Sequence, residues 1–250
     1  VGAGVREGRT VTEIRFRSDM AVKLVQHVGG DSSVVAAAKV SVEGAESVRH
    51  LEADATSGLI RYLMRHRHGT PFEHASLTFF ASAPIFVWRE WHRHRIGFSY
   101  NEESARYKTL DPVFYLPPRD RPMMKVDGWK PGRPKFLRCE DDTVYEGLRA
   151  NLIHAYDVAY SAYLANLSLG IDPGLARDCL PVGIYSSCYV TCNPRSLMAF
   201  LSLRTHDETA KAVSYPLYEI EECARQCEAL FAGLFPATHA AFVDNGRQAP

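Results

Sequence analysis

The stretch Trp88-Arg-Glu-Trp-His-Arg-His-Arg-Ile-Gly-Phe-Ser-Tyr-Asn-Glu-Glu-Ser-Ala-Arg-Tyr107 decides how the chain reads. Its first half sets five basic side chains, Arg89, His92, Arg93, His94 and Arg95, around the aromatic anchors Trp88 and Trp91. Its second half is a run of small hydroxyl, amide and acidic groups. Arginine forks match phosphate and carboxylate bidentately and also stack on rings, so an Arg-His-Arg triplet beside Trp and Tyr suits a nucleotide better than a bare phosphate. Pro84 stands where a helix would begin, and helical spacing lets Ile85, Trp88 and Trp91 face a core while Arg89, His92, Arg93 and Arg95 flank them. The triplet then falls at that helix's C-terminal end, where the dipole favours cations. The dipole explains part of the cluster, not all of it.

On the N-terminal side, residues 21–28 alternate like a strand and 32–40 read as a short alanine-rich helix. Asp54-Ala-Thr-Ser57 offers N-caps for a helix with the apolar stripe Leu59, Ile60, Leu63 and Met64, which stops at Gly69-Thr70-Pro71. Residues 76–81 have strand composition. On the C-terminal side, residues 117–134, rich in Pro, Gly, Lys and Arg, read as a mobile excursion. A long helix is expected over 141–167, and Asp172-Pro173 opens a short one ending at Leu180-Pro181. Residues 184–191 alternate as a strand, Asn193-Pro194 caps and starts a helix through Arg204, and 217–234 gives the last helix. Strands and helices mix without a regular βαβ beat, so the fold class is α+β rather than doubly wound.

The chain has 250 residues, 46% of them hydrophobic and 23% charged, enough for a sizeable core. Its 29 Lys and Arg balance 29 Asp and Glu, so any polyanion must be held by a local cluster, which points to a small anionic ligand and away from nucleic acid and membrane surfaces. No apolar run approaches the roughly 20 residues of a membrane span, and residues 1–12 are polar and Gly-rich, unlike a signal peptide. A soluble, cytoplasmic protein is expected. The six cysteines, Cys139, Cys179, Cys188, Cys192, Cys223 and Cys227, form no C-x-x-C pair, so neither a disulfide framework nor a zinc ribbon is indicated. Cys223 and Cys227, four apart on one helix face, read as small core residues. Neither G-x-G-x-x-G nor G-x-x-x-x-G-K-[ST] occurs, so a nucleotide would bind outside the familiar glycine-rich loops.

Unusual chemistry concentrates in residues 65–74, in the central stretch, and in residues 177–204. If these converge, Arg93, Arg95, Arg106, Arg177, Arg195 and Arg204 form a pocket for several anionic groups. A guanidinium stays protonated at any working pH, so such a pocket binds and polarises rather than shuttling protons.

Arg93-His94-Arg95 followed by Ser104, in the frame Ser99-Tyr-Asn-Glu-Glu-Ser-Ala-Arg-Tyr107, resembles the signature of flavin-dependent thymidylate synthases. Similar segments are Gly69-Thr-Pro-Phe-Glu-His74, Ala83-Pro-Ile-Phe-Val87, Ala176-Arg-Asp-Cys-Leu-Pro181, Cys192-Asn-Pro-Arg-Ser-Leu-Met198 and Phe200-Leu-Ser-Leu-Arg204, in family order over most of the chain. The resemblance implies one domain over 1–250, with an antiparallel or mixed sheet flanked by helices. It implies methylation of dUMP to dTMP with methylenetetrahydrofolate as carbon donor, FAD as redox carrier and NADPH as reductant, in a homotetramer whose sites are shared between subunits. On the same resemblance, Thr70, Arg93, His94, Arg95, Glu102, Asn193, Pro194 and Arg195 contact FAD. Glu90, Arg93, Glu102, Glu103, Ser104, Ala105, Arg106 and Arg177 hold the nucleotide, with Arg106 and Arg177 suited to its phosphate. Arg204 points at the pyrimidine. Glu90 stands where some members carry Gln, and Ala199 where some carry an amide near the flavin.

The last of these roles has a physical sense of its own. C5 of uracil is a poor nucleophile, and a fixed cation beside N3 and O4 in a water-poor site stabilises negative charge as it develops. Folate-only thymidylate synthases use a cysteine, commonly in a Pro-Cys-His setting, and no Pro-Cys-His occurs here. Ser104 has no evident base with an orienting acid, so a phosphate hydrogen bond is its expected role rather than nucleophilic attack. Two other readings compete. His66, His68, Glu73, His74, His92 and His94 supply enough imidazole for a zinc or iron site, although H-x-H pairs on a helix point to different faces and H-E-x-x-H is absent. The same Arg and His runs could serve single-stranded nucleic acid, but the neutral net charge and lack of a basic stripe weigh against it.

Overall fold

The computed structural model describes residues 13–51, 57–128, 130 and 135–250. Short β1 (Arg15–Arg17) and then β2 (Ala21–Val28) lead into α1 (Asp31–Glu43), α2 (Ser57–Arg65), β3 (Ser76–Pro84), α3 (Ile85–Trp91) and β4 (Phe98–Glu102). There follow β5 (Val113–Tyr115), β6 (Met124–Lys125), β7 (Phe136–Leu137), the long α4 (Asp142–Ser168), one-turn α5 (Pro173–Ala176), β8 (Tyr185–Cys192), α6 (Pro194–Arg204), α7 (Tyr218–Leu234) and α8 (Pro236–Asp244). The main sheet is antiparallel in the order β2-β3-β8-β4. The α+β expectation holds, and the sheet is flanked by helices.

Period-2 alternation gives the sheet two different faces. Leu77, Phe79, Ala81 and Ala83 of β3 pair in register with Cys192, Val190, Cys188 and Ser186 of β8, and all are buried. On the opposite face Thr78 meets Thr191 through their hydroxyls (3.0 Å), and the Phe80 and Tyr189 rings pack edge to face. The apolar face carries α1, α2, α3, α6, α7 and α8 in one core, which includes Cys223 and Cys227. Trp88 and Trp91 are 1% exposed and stack on each other with centroids 5.2 Å apart, and Trp91 stacks in turn on Phe200 of α6. Rings of this size bury ~150–250 Å² each, so α3 is nailed to the core by its aromatics while its polar edge stays free for other work.

A smaller core joins α4 to β5 and the turn after β4. Tyr156, Tyr160 and Tyr163 lie on one face of α4, and their hydroxyls satisfy the facing backbone: Tyr156 donates to Tyr115 O (2.9 Å), Tyr160 to Leu110 O (3.0 Å), and Tyr163 accepts from Leu110 N (3.2 Å). Fully buried Glu219, in the first turn of α7, is neutralised by Arg121 Nε at 2.5 Å and accepts from the Tyr115 hydroxyl, so the segment after β5 is tied to the main core. The continuation pairs β6 with β7 as a small hairpin. Residues 129 and 131–134 of the expected excursion, and the expected caps Asp54 to Thr56, fall outside the described residues.

The structure corrects three element boundaries. α7 is not the last helix: Pro236 opens α8, with only Phe235 between it and the end of α7. Buried Asp31 caps α8 by accepting from Ala237 N (2.7 Å), Thr238 N (2.9 Å) and Thr238 Oγ1 (2.6 Å). α2 ends at Arg65, before Gly69, and Arg67 takes a left-handed conformation (φ 58°). The helix opened by Asp172 makes a single α turn and tightens into a 3-10 turn over Arg177–Cys179.

Candidate active site

The basic triplet occupies a tight turn between α3 and β4. The Tyr100 hydroxyl reaches the carbonyls of His94 (2.6 Å) and Trp91 (3.0 Å), fixing the turn from beneath. Gly97 closes it with φ 68°, and a Cβ there would stand 2.1 Å from Ser196 Oγ, so only glycine permits this approach to the start of α6. Asn193 caps α6 by accepting from Ser196 N at 2.8 Å. From the other side Arg195 lies across Gly69, where a Cβ would stand 2.4 Å from its Cζ. Its Nη1 pairs with Glu73 Oε1 at 2.6 Å and its Nε donates to Pro250 O. The structure therefore brings three segments side by side: Gly69-Thr70, the turn of Arg93, His94 and Arg95, and the start of α6 at Asn193, Pro194 and Arg195.

Arg204, the last residue of α6, reaches the same turn. Its Nη1 pairs with Glu90 Oε2 at 2.6 Å, its Nη2 donates to Glu90 O at 3.2 Å, and its Nε donates to His94 Nε2 at 3.1 Å. Burial and the adjacent Arg204 cation pull the His94 pKa down to about 4. The ring is therefore neutral near pH 7, with Nε2 as acceptor and its proton on Nδ1. Glu90 and Arg204 form one wall of an open cavity of about 1020 Å³, also lined by Arg121, Phe136, the loop that carries His206 and Tyr215, and Tyr218 at the start of α7. His206 pins that loop: Nδ1 donates to Ser214 O (2.7 Å) and Nε2 faces Glu208 Oε1 (3.0 Å), while the Ser214 hydroxyl donates to Leu203 O.

A second group of candidates stands at the far end of β4. Glu102 Oε1 accepts from Ser186 Oγ (2.6 Å), and Glu103 accepts from Ser187 N (2.8 Å) and pairs with Lys108 (2.7 Å). Ser104 Oγ accepts from Arg106 N in a tight turn (3.3 Å), and Ala105 is buried in the smaller core. Arg106 runs beside Gly174 of α5, where an added Cβ would lie 3.6 Å from its Cγ, and Arg177 follows on the next turn. Among the described residues, the exposed guanidinium groups of Arg93, Arg95, Arg106 and Arg177 have no ion pair or hydrogen bond.

Within one chain, then, the arginines do not make a single pocket. Arg195 is spent on Glu73, Arg204 on Glu90 and His94, and Arg106 and Arg177 lie beyond β4. Glu102, assigned by resemblance to both the flavin and the nucleotide, stands with the second set. The long loop from His206 to Pro216 is visible in the sequence, but not that it lines this cavity with Tyr218; the partners Ser186 and Ser187 were missed, and their only signal was small hydroxyls on a strand.

The competing chemistries find less. No group of three or more His, Cys, Asp or Glu is poised for a metal among the described residues: His66 and His68 pack on Tyr62, His92 on Trp88 and Tyr100, and His94 on Arg204. Burial pushes the Cys188 thiol up to about 11 and raises Cys192, Cys223 and Cys227 as well, which suppresses the thiolate a nucleophile requires. Cys179 is exposed, with its thiol toward Ala176 O. No helix among the described residues is long and apolar enough to cross a membrane.

Comparison with known proteins agrees with this geometry. The family model described as thymidylate synthase complementing protein matches residues 23–237. A flavin-dependent thymidylate synthase of Streptomyces avermitilis is 50% identical, covering 94% of this chain and 95% of its own length. One from Tropheryma whipplei is 47% identical, covering 94% and 97%. The crystal structure of a UMP/dUMP methylase, PolB, from Streptomyces cacaoi bound with 5-Br dUMP superposes with a TM-score of 0.87 at 46% identity, covering 95% of this chain and 100% of that one. Its form bound with 5-Br UMP gives 0.85 at 44%, covering 95% and 99%. With a signature turn built as the sequence requires and relatives about half identical from end to end, the chain belongs to the flavin-dependent thymidylate synthases.

Proposed function

We propose that this chain methylates dUMP to dTMP, with methylenetetrahydrofolate as carbon donor and NADPH-reduced FAD as hydride source, in a homotetramer whose sites are shared between subunits. The observation that carries the reading is Arg204, held on three protein acceptors at the wall of a large cavity. A guanidinium so fixed would donate to uracil O4 and to N3 once its proton is lost, stabilising the negative charge of the ionised ring that makes C5 the better nucleophile, and it needs no reorganisation at that moment. No cysteine nucleophile takes part.

The residues fit a flavin cofactor. Arg93 and Arg95 offer exposed, unpaired cations for a pyrophosphate beside exposed Thr70, with the capped start of α6 next to them. Bound there, FAD would supply the redox chemistry that completes the methyl group. Arg106 and Arg177, equally unpaired, suit the phosphate of the nucleotide, with Ser104, the backbone of Ala105 and the carboxylates Glu102 and Glu103 lining its path. The placement supports subunit sharing: Arg106 and Arg177 stand beyond one end of β4 and Arg204 at the other, so that a neighbouring copy would bring the two halves of a site together.

Protein loaded with FAD is expected to form dTMP only when dUMP, methylenetetrahydrofolate and NADPH are all present, as read by product chromatography. Omission of any one should abolish product. Formation of dTMP without flavin would remove the reading.

A further inference from the structure

We propose that Glu90 is a positioning residue for Arg204 rather than a ligand of the nucleotide; the inference rests on the reading that Arg204 acts on the pyrimidine. Glu90 gives Arg204 two acceptors from one residue, its carboxylate on Nη1 (2.6 Å) and its own carbonyl on Nη2 (3.2 Å). His94, four residues on, accepts a hydrogen bond from Arg204 Nε at 3.1 Å. A guanidinium has five N–H groups. Three are committed to protein, leaving one on each terminal nitrogen, a two-pronged donor for O4 and the ionised N3 of a uracil ring.

The chemistry of the carboxylate points the same way. Ionised Glu accepts and does not donate, and so does a nucleotide phosphate, so Glu90 facing a phosphate would be repelled. Facing Arg204 it has a matched partner. The pair also differs from the other acid–arginine pair of this region, Arg195 with Glu73, because both members of the Glu90 pair line the cavity, with side chains 40% and 16% exposed. The fixed end of the clamp is sound, since Glu90 lies in the last turn of α3, a helix anchored by the buried rings of Trp88 and Trp91.

The test compares Glu90→Ala and Glu90→Gln in the FAD-loaded enzyme, reading kcat, the dUMP dissociation constant from equilibrium binding, and Arg204 in crystal structures of both variants. Loss of positioning near reacting atoms can cost about a hundredfold in rate. Glu90→Ala is expected to lower kcat on that scale, to leave dUMP affinity within a few-fold, and to disperse the Arg204 density. Glu90→Gln keeps an acceptor for Nη1 and should restore most of kcat with Arg204 in place. A Glu90→Ala variant that loses dUMP affinity while kcat stands, or a Glu90→Gln variant as slow as Glu90→Ala, overturns the proposal. Wild-type enzyme that forms no dTMP marks failure of the parent reading; wild-type turnover with Glu90→Ala equally fast marks failure of the clamp alone.

Discussion

The two ends of β4 both carry arginines, and they use them in opposite ways. At the α3 end Arg204 is mostly buried, with all three guanidinium nitrogens on protein acceptors. At the other end the guanidinium groups of Arg106 and Arg177 are exposed and have no hydrogen bond or ion pair among the described residues. An arginine fixed before the ligand arrives contributes orientation and charge at the reacting atoms, which shows in kcat. An arginine left open contributes affinity when its anion arrives, which shows in KM. The residue type is the same; the partner set decides the role.

The largest expected effect is at the fixed end. Arg204→Ala should keep the fold and FAD and lose about 10²–10³ in kcat, the scale of a preorganised donor to a developing charge; a loss confined to KM in steady-state kinetics would break the contrast. At the open end, Arg106→Ala and Arg177→Ala should each raise KM for dUMP roughly ten- to a hundredfold, the worth of one charge-assisted hydrogen bond, with kcat nearly unchanged. Added salt should raise the wild-type KM in the same direction by screening. Arg95→Ala should weaken FAD retention roughly tenfold, measured as the flavin-to-protein absorbance ratio after gel filtration; a fully loaded variant would sink that assignment.

The smallest effect is a pH limb that sharpens the account of the fixed end. His94 titrates at about 4 in the folded chain against an ordinary 6.5, so the unfolded chain binds its proton first as pH falls. Its contribution to stability is therefore complete above 6.5 and drains away between 6.5 and about 4. Once protonated, Nε2 no longer accepts from Arg204, so kcat should decline on the acid side with an apparent pKa near the folded value. The pH–rate profile checks this, and a level acid limb through that range would count against the clamp.

Much of the fold was legible because its strongest signals are local. Pro84 marks the start of α3, and helical spacing puts Trp88 and Trp91 inside; Asn193-Pro194 announces α6; the alternation of β8 separates its two faces. α8 was not legible, since Pro236 reads as a stop and the side chain that caps the helix, Asp31, lies 206 residues away. Exposed β4 hid within a polar run, and it is a strand because Phe98 to Glu102 find partners on β8. The site residues were readable as a motif, but their arrangement was not. Nothing near Arg204 in sequence says that Glu90, 114 residues before it, holds its guanidinium. Nor does composition reveal that the arginines divide between two ends of a strand.

The central claim is that this chain uses bound flavin for methylation and Arg204 for the pyrimidine. The most direct measurement is an anaerobic single turnover of wild type and Arg204→Ala, both FAD-loaded, with NADPH, dUMP and methylenetetrahydrofolate, following flavin absorbance and dTMP together. The account predicts that the flavin band bleaches in both and that dTMP forms at an appreciable rate only in wild type. A wild-type protein that takes up no FAD, or an Arg204→Ala variant that makes dTMP as fast as wild type, would contradict it.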